Sequence, residues 1–501
     1  MAIRPTFYGF EVGKSALAAS QRSIDVTGQN IANINTPGYS RQRVNLSAVG
    51  AGRLQWKYPL HPSQNVGFGV NINSITRVRD EFLDTRFRKE FGDNQRFDII
   101  GNTLGQVETL VDEFVTENLD HIFNSFMNAF QNFQFNADEA EFASLTRGAA
   151  LQLTRTLNKI AADLNLITNN TVKQLEIVKD GVNNIARSLD DINKEIRIQH
   201  LLGPVSNELL DQRDNLLDQL AGFGEVKVVK DESFGIWVYF GEGDIGDDTN
   251  LPSSRETESL LVWGDQVGHS TLDFAYDAES TDPVRLTWST NSISPGSDFI
   301  TKTGQIFGYY EMINGIGDGT ESGDTLDLAT KGVPYFMNII NDFTSTFADA
   351  FNTLNALNGD LFVSNNGDPI NALNIAMSED WMNDNKYMVT TTDPAATGAA
   401  RNDNILRFID AIRREDMQQY IGSLSSEIAL EINYNDKRQA MSDMLLYSID
   451  DFRESIKGVS EDEEAMNLAR FQKSYNAAAR YITALDEMLD IIVNRLGLVG
   501  R

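Results

Sequence analysis

The chain has 501 residues, and its 42 Lys and Arg against 72 Asp and Glu give a net charge of −30. This length favours roughly two to four domains. A polyanion is poorly suited to nucleic acid, and the absence of cysteine excludes disulfides, thiolate metal sites and cysteine nucleophiles. No apolar run is long enough to span a membrane, and no secretory signal peptide is recognised, so neither membrane insertion nor cleavage is expected.

An N-terminal axial helix is the first predicted element, within residues 1–40. Its large apolar residues recur at intervals of seven: Phe10, Leu17, Ile24 and Ile31. The positions between them are mostly small or polar, as at Gly13, Ser20 and Thr27. Such a helix has too little apolar area to fold alone and needs a partner. The Asn, Pro and Gly residues of segment 33–38 predict its end.

Residues 41–222 are predicted to form the N-terminal part of a helical domain. An extended, loop-rich segment is expected at 41–95, and helical periodicity follows from about residue 97. Gly203 and Pro204 break this pattern, and Ser206 is a suitable N-cap for a helix at 207–222. The sequence therefore predicts several long helices before the middle of the chain.

Short β-prone runs predict an inserted, acidic β-rich domain at 223–330. The runs are Val226–Val229, Phe234–Phe240, Leu260–Trp263 and Val284–Trp288. Helical spacing is expected to resume near residue 330, in the C-terminal part of the helical domain at 331–458.

The C-terminal segment 459–501 has the strongest periodicity in the chain. Two apolar series with a spacing of seven, offset by three, include Leu468, Phe471, Tyr475, Ile482, Leu485, Leu489 and Ile492. This a/d pattern favours an axial coiled-coil helix over an amphipathic helix packed within its own domain. We therefore predict an α+β multidomain protein. Both chain ends form a long α-helical coiled coil or bundle, which carries the β-rich middle as an insertion.

No pattern in the sequence indicates a catalytic, cofactor or metal site. The four histidines are far apart, and an acidic, glycine-rich loop at 241–248 does not have the spacing of an EF-hand. The densest acid cluster, Glu461 to Glu464, follows Ser460, so we interpret it as the first turn of a capped helix. The sequence thus predicts a protein that is not an enzyme.

Three segments resemble one family. Residues 30–42, Asn-Ile-Ala-Asn-Ile-Asn-Thr-Pro-Gly-Tyr-Ser-Arg-Gln, resemble the N-terminal signature of flagellar rod, hook and hook-associated proteins. The Ser-Arg-Gln ending narrows the resemblance to the hook-associated protein 1 family. Residues 453–465 and 207–214 resemble that family's C-terminal signature and an internal helix. The turn motif carried over comprises Asn33, Thr36, Pro37, Gly38 and Tyr39.

The resemblance implies a structural subunit that joins the flagellar hook to the filament. Such proteins leave the cell through the flagellar type III channel without a cleavable signal peptide. Their terminal helices are disordered as monomers and form an inner tube on assembly. The implied partners are further copies of the chain in a ring, the hook protein, the second hook–filament junction protein and an export chaperone at the C-terminal helix.

Three alternatives stay open on sequence grounds. Another axial protein, either the second junction protein or a flagellin, also has apolar terminal helices but lacks the segment 35–42. A secreted enzyme could use the insertion, although His269 is its one histidine. An adhesin or binding module could also be built on the insertion and coexist with a structural role.

Overall fold

A computed structural model describes residues 8–49, 67, 69–114, 120–230, 235–241, 259–264, 268–277, 283–288, 299, 301–317, 330–393, 401–414 and 417–495. The fold is mainly helical, with small antiparallel sheets, and confirms the predicted multidomain α+β fold with helical ends. Within these ranges, no helix has the length and apolar character needed to cross a bilayer. The loop at 241–248, apart from Gly241, lies outside the described residues.

The two chain ends form an antiparallel helix pair. Helix α1 (Tyr8–Ala32) ends before the predicted break, and helix α11 (Glu461–Asp490) continues as a short π-helical segment, Ile491–Arg495. The start of α1 lies against the end of α11, and Asn30 near its end binds Glu464 in the first turn of α11. An antiparallel hairpin of β1 (Gln42–Ala48) and β2 (Val70–Arg77) follows α1 and packs on it.

Four helices follow the hairpin: α2 (Glu81–Phe114), α3 (Asp120–Phe135), α4 (Ala140–Leu202) and α5 (Asn207–Phe223). The expected extended segment 41–95 is therefore wrong from residue 81 onward. Leu83, Phe87 and Phe91 have the helical spacing of four in the first turns of α2, but the many charged residues around them leave this apolar pattern short and weak. The α4–α5 break at Gly203 and the cap position of Ser206 are as predicted.

The middle of the chain contains two small sheets. Strands β3 (Val226–Lys230), β4 (Ile236–Phe240) and β5 (Leu260–Val262) form one antiparallel sheet, and β6 (Leu272–Tyr276) pairs with β7 (Val284–Trp288).

Helix α6 (Gly304–Asn314) lies in the segment predicted to be β-rich, so helices resume earlier than expected. Glycines obscure its helical pattern, because they are poor helix formers. Gly308 is needed where α6 meets α2, since a Cβ there would lie 2.9 Å from the carbonyl oxygen of Arg96.

The rest of the chain returns to the helical body. Its elements are α7 (Val333–Leu354), β8 (Phe362–Ser364), β9 (Ile375–Met377), α8 (Glu379–Asn383), α9 (Asp403–Arg414) and α10 (Met417–Lys457). Strands β8 and β9 form a small antiparallel pair.

Two large hydrophobic cores hold the body together. The first joins α2, α3, the first half of α4, α7, α9 and α10 around a group of phenylalanines that includes Phe126, Phe347 and Phe351. The second joins the later part of α4 with α5, α6 and the strands β4–β7. A small third cluster contains Trp237 and Tyr239. No residue of α1 or α11 belongs to any of the three, so the terminal helix pair is separate from the cores.

Candidate assembly site

The C-terminal apolar series forms a surface of α11 directed at α1, here called the α11 seam. It comprises Leu468, Phe471, Tyr475, Ile482, Leu485 and Leu489, all partly buried, whereas Ile492 is 51% exposed. Ile482 and Leu485 meet glycines of α1. A Cβ added at Gly13 would lie 2.6 Å from Ile482 Cγ1, and one at Gly9 would lie 2.7 Å from Leu485 Cδ1. The seam therefore contacts α1 at a distance that only glycine permits.

The buried face of α1 differs from the apolar stripe expected from the sequence. The buried positions are small or polar apart from Val26: Gly13, Ala19, Ser20, Ser23, Val26, Thr27 and Asn30. The predicted stripe of Phe10, Leu17, Ile24 and Ile31 is only partly buried and flanks this face. Small residues allow α11 and the hairpin to approach closely, so residue size rather than apolarity decides which face is covered. The apolar stripe keeps surface available for a further helix.

The turn after α1 brings the family motif against the start of α11. Residues 33–39 and several residues within 454–463 line a surface cavity with a volume of about 510 Å³. Thr36 Oγ1 donates to Asn33 Oδ1 at 3.2 Å, and Pro37 is exposed. The Tyr39 hydroxyl donates to Asn30 Oδ1 at 2.9 Å. Burial and the nearby carboxylates of Glu208, Asp211 and Glu464 raise the pKa of Tyr39, so it stays protonated and keeps this bond.

Gly38 has a φ of +78°, in the left-handed region that favours glycine. A Cβ there would have room, since the nearest side-chain atom of Asn215 lies at 3.5 Å. The cost of Gly38→Val is therefore conformational, on the order of 1–2 kcal/mol. We expect the variant monomer to melt slightly earlier and cells to swim poorly. Gly38→Asn, which tolerates this conformation better, is the control, and normal motility with Gly38→Val would reject a special role for the turn.

Arg41 joins the turn to α11. Its Nη1 lies 2.9 Å from Glu463 Oε2, its Nη2 lies 2.7 Å from Glu464 Oε1, and its backbone N–H donates to the carbonyl of Lys457 at 2.9 Å. Glu464 is 2% exposed and also accepts from Asn30 Nδ2 at 3.2 Å. The capped first turn of α11 was predicted, and Ser460 caps it. The contacts of Glu464 with Arg41 and Asn30 were not predicted. The heptad did contain a signal for its burial, because Glu464 occupies the core position that precedes Leu468.

The internal segment that resembles the family, residues 207–214, contacts the residues that follow the turn. Ser40 donates to Asp211 through its N–H at 3.1 Å and its Oγ at 2.7 Å. Arg77 Nη1 lies 2.8 Å from Asp211 and 2.7 Å from Asp214. All three segments that carry the family resemblance therefore converge where the helix pair enters the body. We call this region, residues 33–42, 207–218 and 453–464 with Arg77, Arg79, Asp84 and Arg88, the joint.

A buried ion-pair network completes the joint. Asp84 is 7% exposed and accepts from Arg79 through two bonds of 2.9 Å and from Arg453 Nε at 2.6 Å. Arg453 also binds Asp218, and Arg88 Nε donates to Asp218 at 2.7 Å. The network links the segment just after β2 with α2, α5 and the end of α10, so it holds four parts of the body together beside the helix pair.

This network predicts a loss of stability in acid. Burial alone would raise the pKa of Asp84, but hydrogen bonds and positive charge from Arg79 and Arg453 lower it from 3.8 to about 2. The ionised carboxylate therefore stabilises the fold by roughly 2 kcal/mol above pH 4, and this contribution disappears as the pH falls from about 4 towards 2. Unfolding in urea across that range should show a larger loss of stability in the native protein than in Asp84→Asn, which keeps only the losses due to other carboxylates such as Asp214. Equal pH dependence of the two would contradict it.

No catalytic arrangement emerges from these residues. The described part of the chain holds no group of three or more His, Asp or Glu placed to bind a metal ion. The joint consists of ion pairs and hydrogen bonds among its own residues, which position elements rather than transform a substrate.

Comparisons with known proteins agree with this arrangement. The family model described as "Flagellar hook-associated protein FlgK helical domain" matches residues 104–370, and a model for flagella basal body rod proteins matches residues 10–39. Flagellar hook-associated protein 1 of Bacillus subtilis is 28% identical over 99% of both chains. Flagellar hook-associated protein 1 of Salmonella typhimurium is 25% identical over 41% of this chain and 36% of its own length. The solved structure of the flagellar hook junction protein FlgK from Burkholderia pseudomallei is 16% identical, with a TM-score of 0.45, over 56% of this chain and 46% of that one.

Proposed function

The chain belongs to the FlgK family of flagellar hook-associated proteins, and from this premise we propose that it joins hook to filament by self-assembly through its terminal helix pair. The family is structural and not enzymatic. One observation supports the proposal above the others. The helix pair lies outside all three hydrophobic cores and is tied to the body at the joint formed by the three family segments.

The proposed assembly interface comprises the α11 seam with Ile492 and the flanking stripe of α1. The seam is only partly buried by α1, so apolar area is left for a helix of another subunit. In the assembled flagellum, copies of this chain form a ring that meets the hook protein on one side and the second hook–filament junction protein on the other. Residues 1–40 and 459–501 act as the axial segments, and 41–222 with 331–458 and the insertion at 223–330 lie outside them.

The same surface suits an export chaperone. Besides the seam, α11 exposes Met466, Tyr481 and Met488, at 67%, 45% and 58%. Flexible and aromatic side chains of this kind fit a protein that must bind two different partners in turn. We propose that a chaperone covers the C-terminal helix until the chain is exported, without a cleavable signal peptide, to the flagellum.

Deletion of the gene tests the proposed function. Electron microscopy of the deleted cells should show hooks without filaments, and filament protein should accumulate in the medium. Supplying the intact gene in trans is the control and should restore filaments. Normal filaments on the deleted cells would reject the proposal.

A further inference from the structure

Helix α10 exposes large apolar side chains on the side that faces away from the body, here called the α10 stripe. Its members are Leu430, Tyr434, Met441, Met444 and Phe452, which are 65%, 52%, 70%, 74% and 61% exposed. Their spacings of four, seven, three and eight residues place them on one face of the helix. The α10 stripe therefore forms a single surface, about 33 Å long.

The opposite face of α10 packs on the body. Ile428, Ile449 and Arg453 are buried there, and Asn435 Nδ2 donates to the carbonyl of Phe97 in α2 at 3.0 Å. Helix α10 thus carries apolar residues on two opposite faces, and the body covers one of them. A helix with apolar residues all round is normally covered on every side. This pattern indicates that a partner covers the α10 stripe.

The size of the α10 stripe agrees with a specific contact. Five large side chains with these exposures leave on the order of 500 Å² of apolar surface in water, which is near the upper limit for a monomer. A standard interface buries about 800 Å² on each partner. The stripe, with the half-buried Leu445 beside it, therefore supplies most of one side of such an interface.

Two cations lie at the middle of the α10 stripe. Lys437 is exposed and forms no ion pair with another described residue. Arg438 is exposed as well, and its guanidinium carbon lies 4.3 Å from the centroid of the Tyr434 ring. The chain has a net charge of −30, so the surface of another copy is on average acidic. Positive charge within the stripe complements such a surface.

A ring of identical subunits needs a lateral contact of this kind. Each subunit must offer two different surfaces, because closed rings are built from head-to-tail contacts. The α11 seam belongs to the axial helix pair, whereas α10 belongs to the body and leads into α11 through residues 458–460. The α10 stripe thus lies where neighbouring bodies would meet, next to the axial contact.

We propose that the α10 stripe binds the body of a second copy of this chain. Met441 and Met444 lie at the centre of the contact, and Lys437 faces an acidic part of the neighbour. The inference rests on the proposed assembly into a ring and adds a second interface to it. This interface is made by the body and not by the terminal helices.

A photoreactive benzophenone amino acid at Met441 tests the proposal in the assembled flagellum. Cells without the native gene produce the full-length variant, and their isolated flagella are irradiated. We expect a covalent dimer of this chain, in which mass spectrometry identifies the contacted residues. The control has the same amino acid at Asp436, an exposed position on another face of α10, and should give little dimer.

A crosslink from Met441 to a different flagellar protein, or no crosslink in flagella that contain the variant, overturns the proposal. Equal dimer from Met441 and Asp436 overturns the assignment to the stripe. Absence of the native chain from isolated flagella would instead refute the proposed function, so the two failures are distinguishable.

Met441→Glu with Met444→Glu measures how much the contact contributes. Both side chains are exposed in the monomer, so the melting temperature of the full chain should stay nearly unchanged. We expect at least about tenfold fewer hooks with filaments, because assembly would bury two carboxylates among apolar groups. Ala429→Glu with Ala440→Glu is the matched control, since it adds the same charges at exposed positions outside the α10 stripe.

Export of both double variants is measured in the medium. An unchanged number of filaments in exported Met441→Glu with Met444→Glu overturns the proposal, as does an equal loss in the alanine control. If the methionine variant is not exported, the crosslinking result decides.

Discussion

Aspartate at both Ile482 and Leu489 is expected to abolish attachment to the hook while the melting temperature of the monomer stays nearly unchanged. Both residues belong to the α11 seam, and Ile482 meets Gly13 of α1. Two charges placed in an apolar seam prevent helix association, where each large side chain otherwise contributes roughly 1.5–3 kcal/mol. The cores of the body contain no residue of α11, so they should unfold as before.

The measurements are calorimetric melting of the purified monomer and electron microscopy of cells that produce the variant. Export must be assayed in the medium, because the seam is also the proposed chaperone surface. Asn476→Asp with Thr483→Asp is the matched control, since it places the same charges at exposed positions of the same helix. Gly13→Leu disrupts the same contact by placing a large side chain on α1. We expect it to abolish attachment to the hook as well. A variant monomer that unfolds would make the helix pair part of a self-contained core, and a variant that is exported and assembles normally would rule out the seam.

The seam could be predicted from the sequence, but the face of α1 that receives it could not. A heptad of large residues identifies α11 whatever its partner, because apolar spacing alone fixes which face must be covered. On α1 the same reasoning selected Phe10, Leu17, Ile24 and Ile31, whereas the face in closest contact contains Gly13, Ser20 and Thr27. Close helix contact requires small residues, and a pattern ranked by hydrophobicity does not detect them.

The joint shows a second limit of sequence reasoning. The turn at Gly38 was predictable because Pro fixes φ locally and Gly permits backbone conformations that end a helix. The two arginine partners of Asp84 were not predictable together. Arg79 lies nearby in sequence, but Arg453 is far along the chain, so no local pattern connects it to Asp84. Charged residues give no periodic signal, and only the fold determines which of many opposite charges meet.

Arg453→Leu is expected to have the largest effect on the stability of the body. The side chain is 5% exposed, its Nε lies 2.6 Å from Asp84 Oδ1, and it also binds Asp218. Its guanidinium lies 4.2 Å from the centroid of the Phe87 ring, so its charge is held between two carboxylates and an aromatic face. Removing one partner of a buried ion pair typically costs about 3–5 kcal/mol, because the remaining charge stays buried. Arg79 still binds Asp84 and Arg88 still binds Asp218, which places the expected loss at the lower end, about 3 kcal/mol.

Urea unfolding followed by circular dichroism measures this loss as a lower midpoint at an unchanged slope. Arg438→Leu, an exposed arginine on the same helix that stacks on Tyr434, is the matched control and should change stability by less than about 0.5 kcal/mol. Combining Arg453→Leu with Asp84→Asn should cost less than the sum of the two single changes, since the double variant no longer buries a carboxylate at Asp84 that has lost one of its two arginine partners. Native stability in Arg453→Leu would mean that Arg453 does not stabilise the joint, and strict additivity would mean that its contribution does not depend on Asp84.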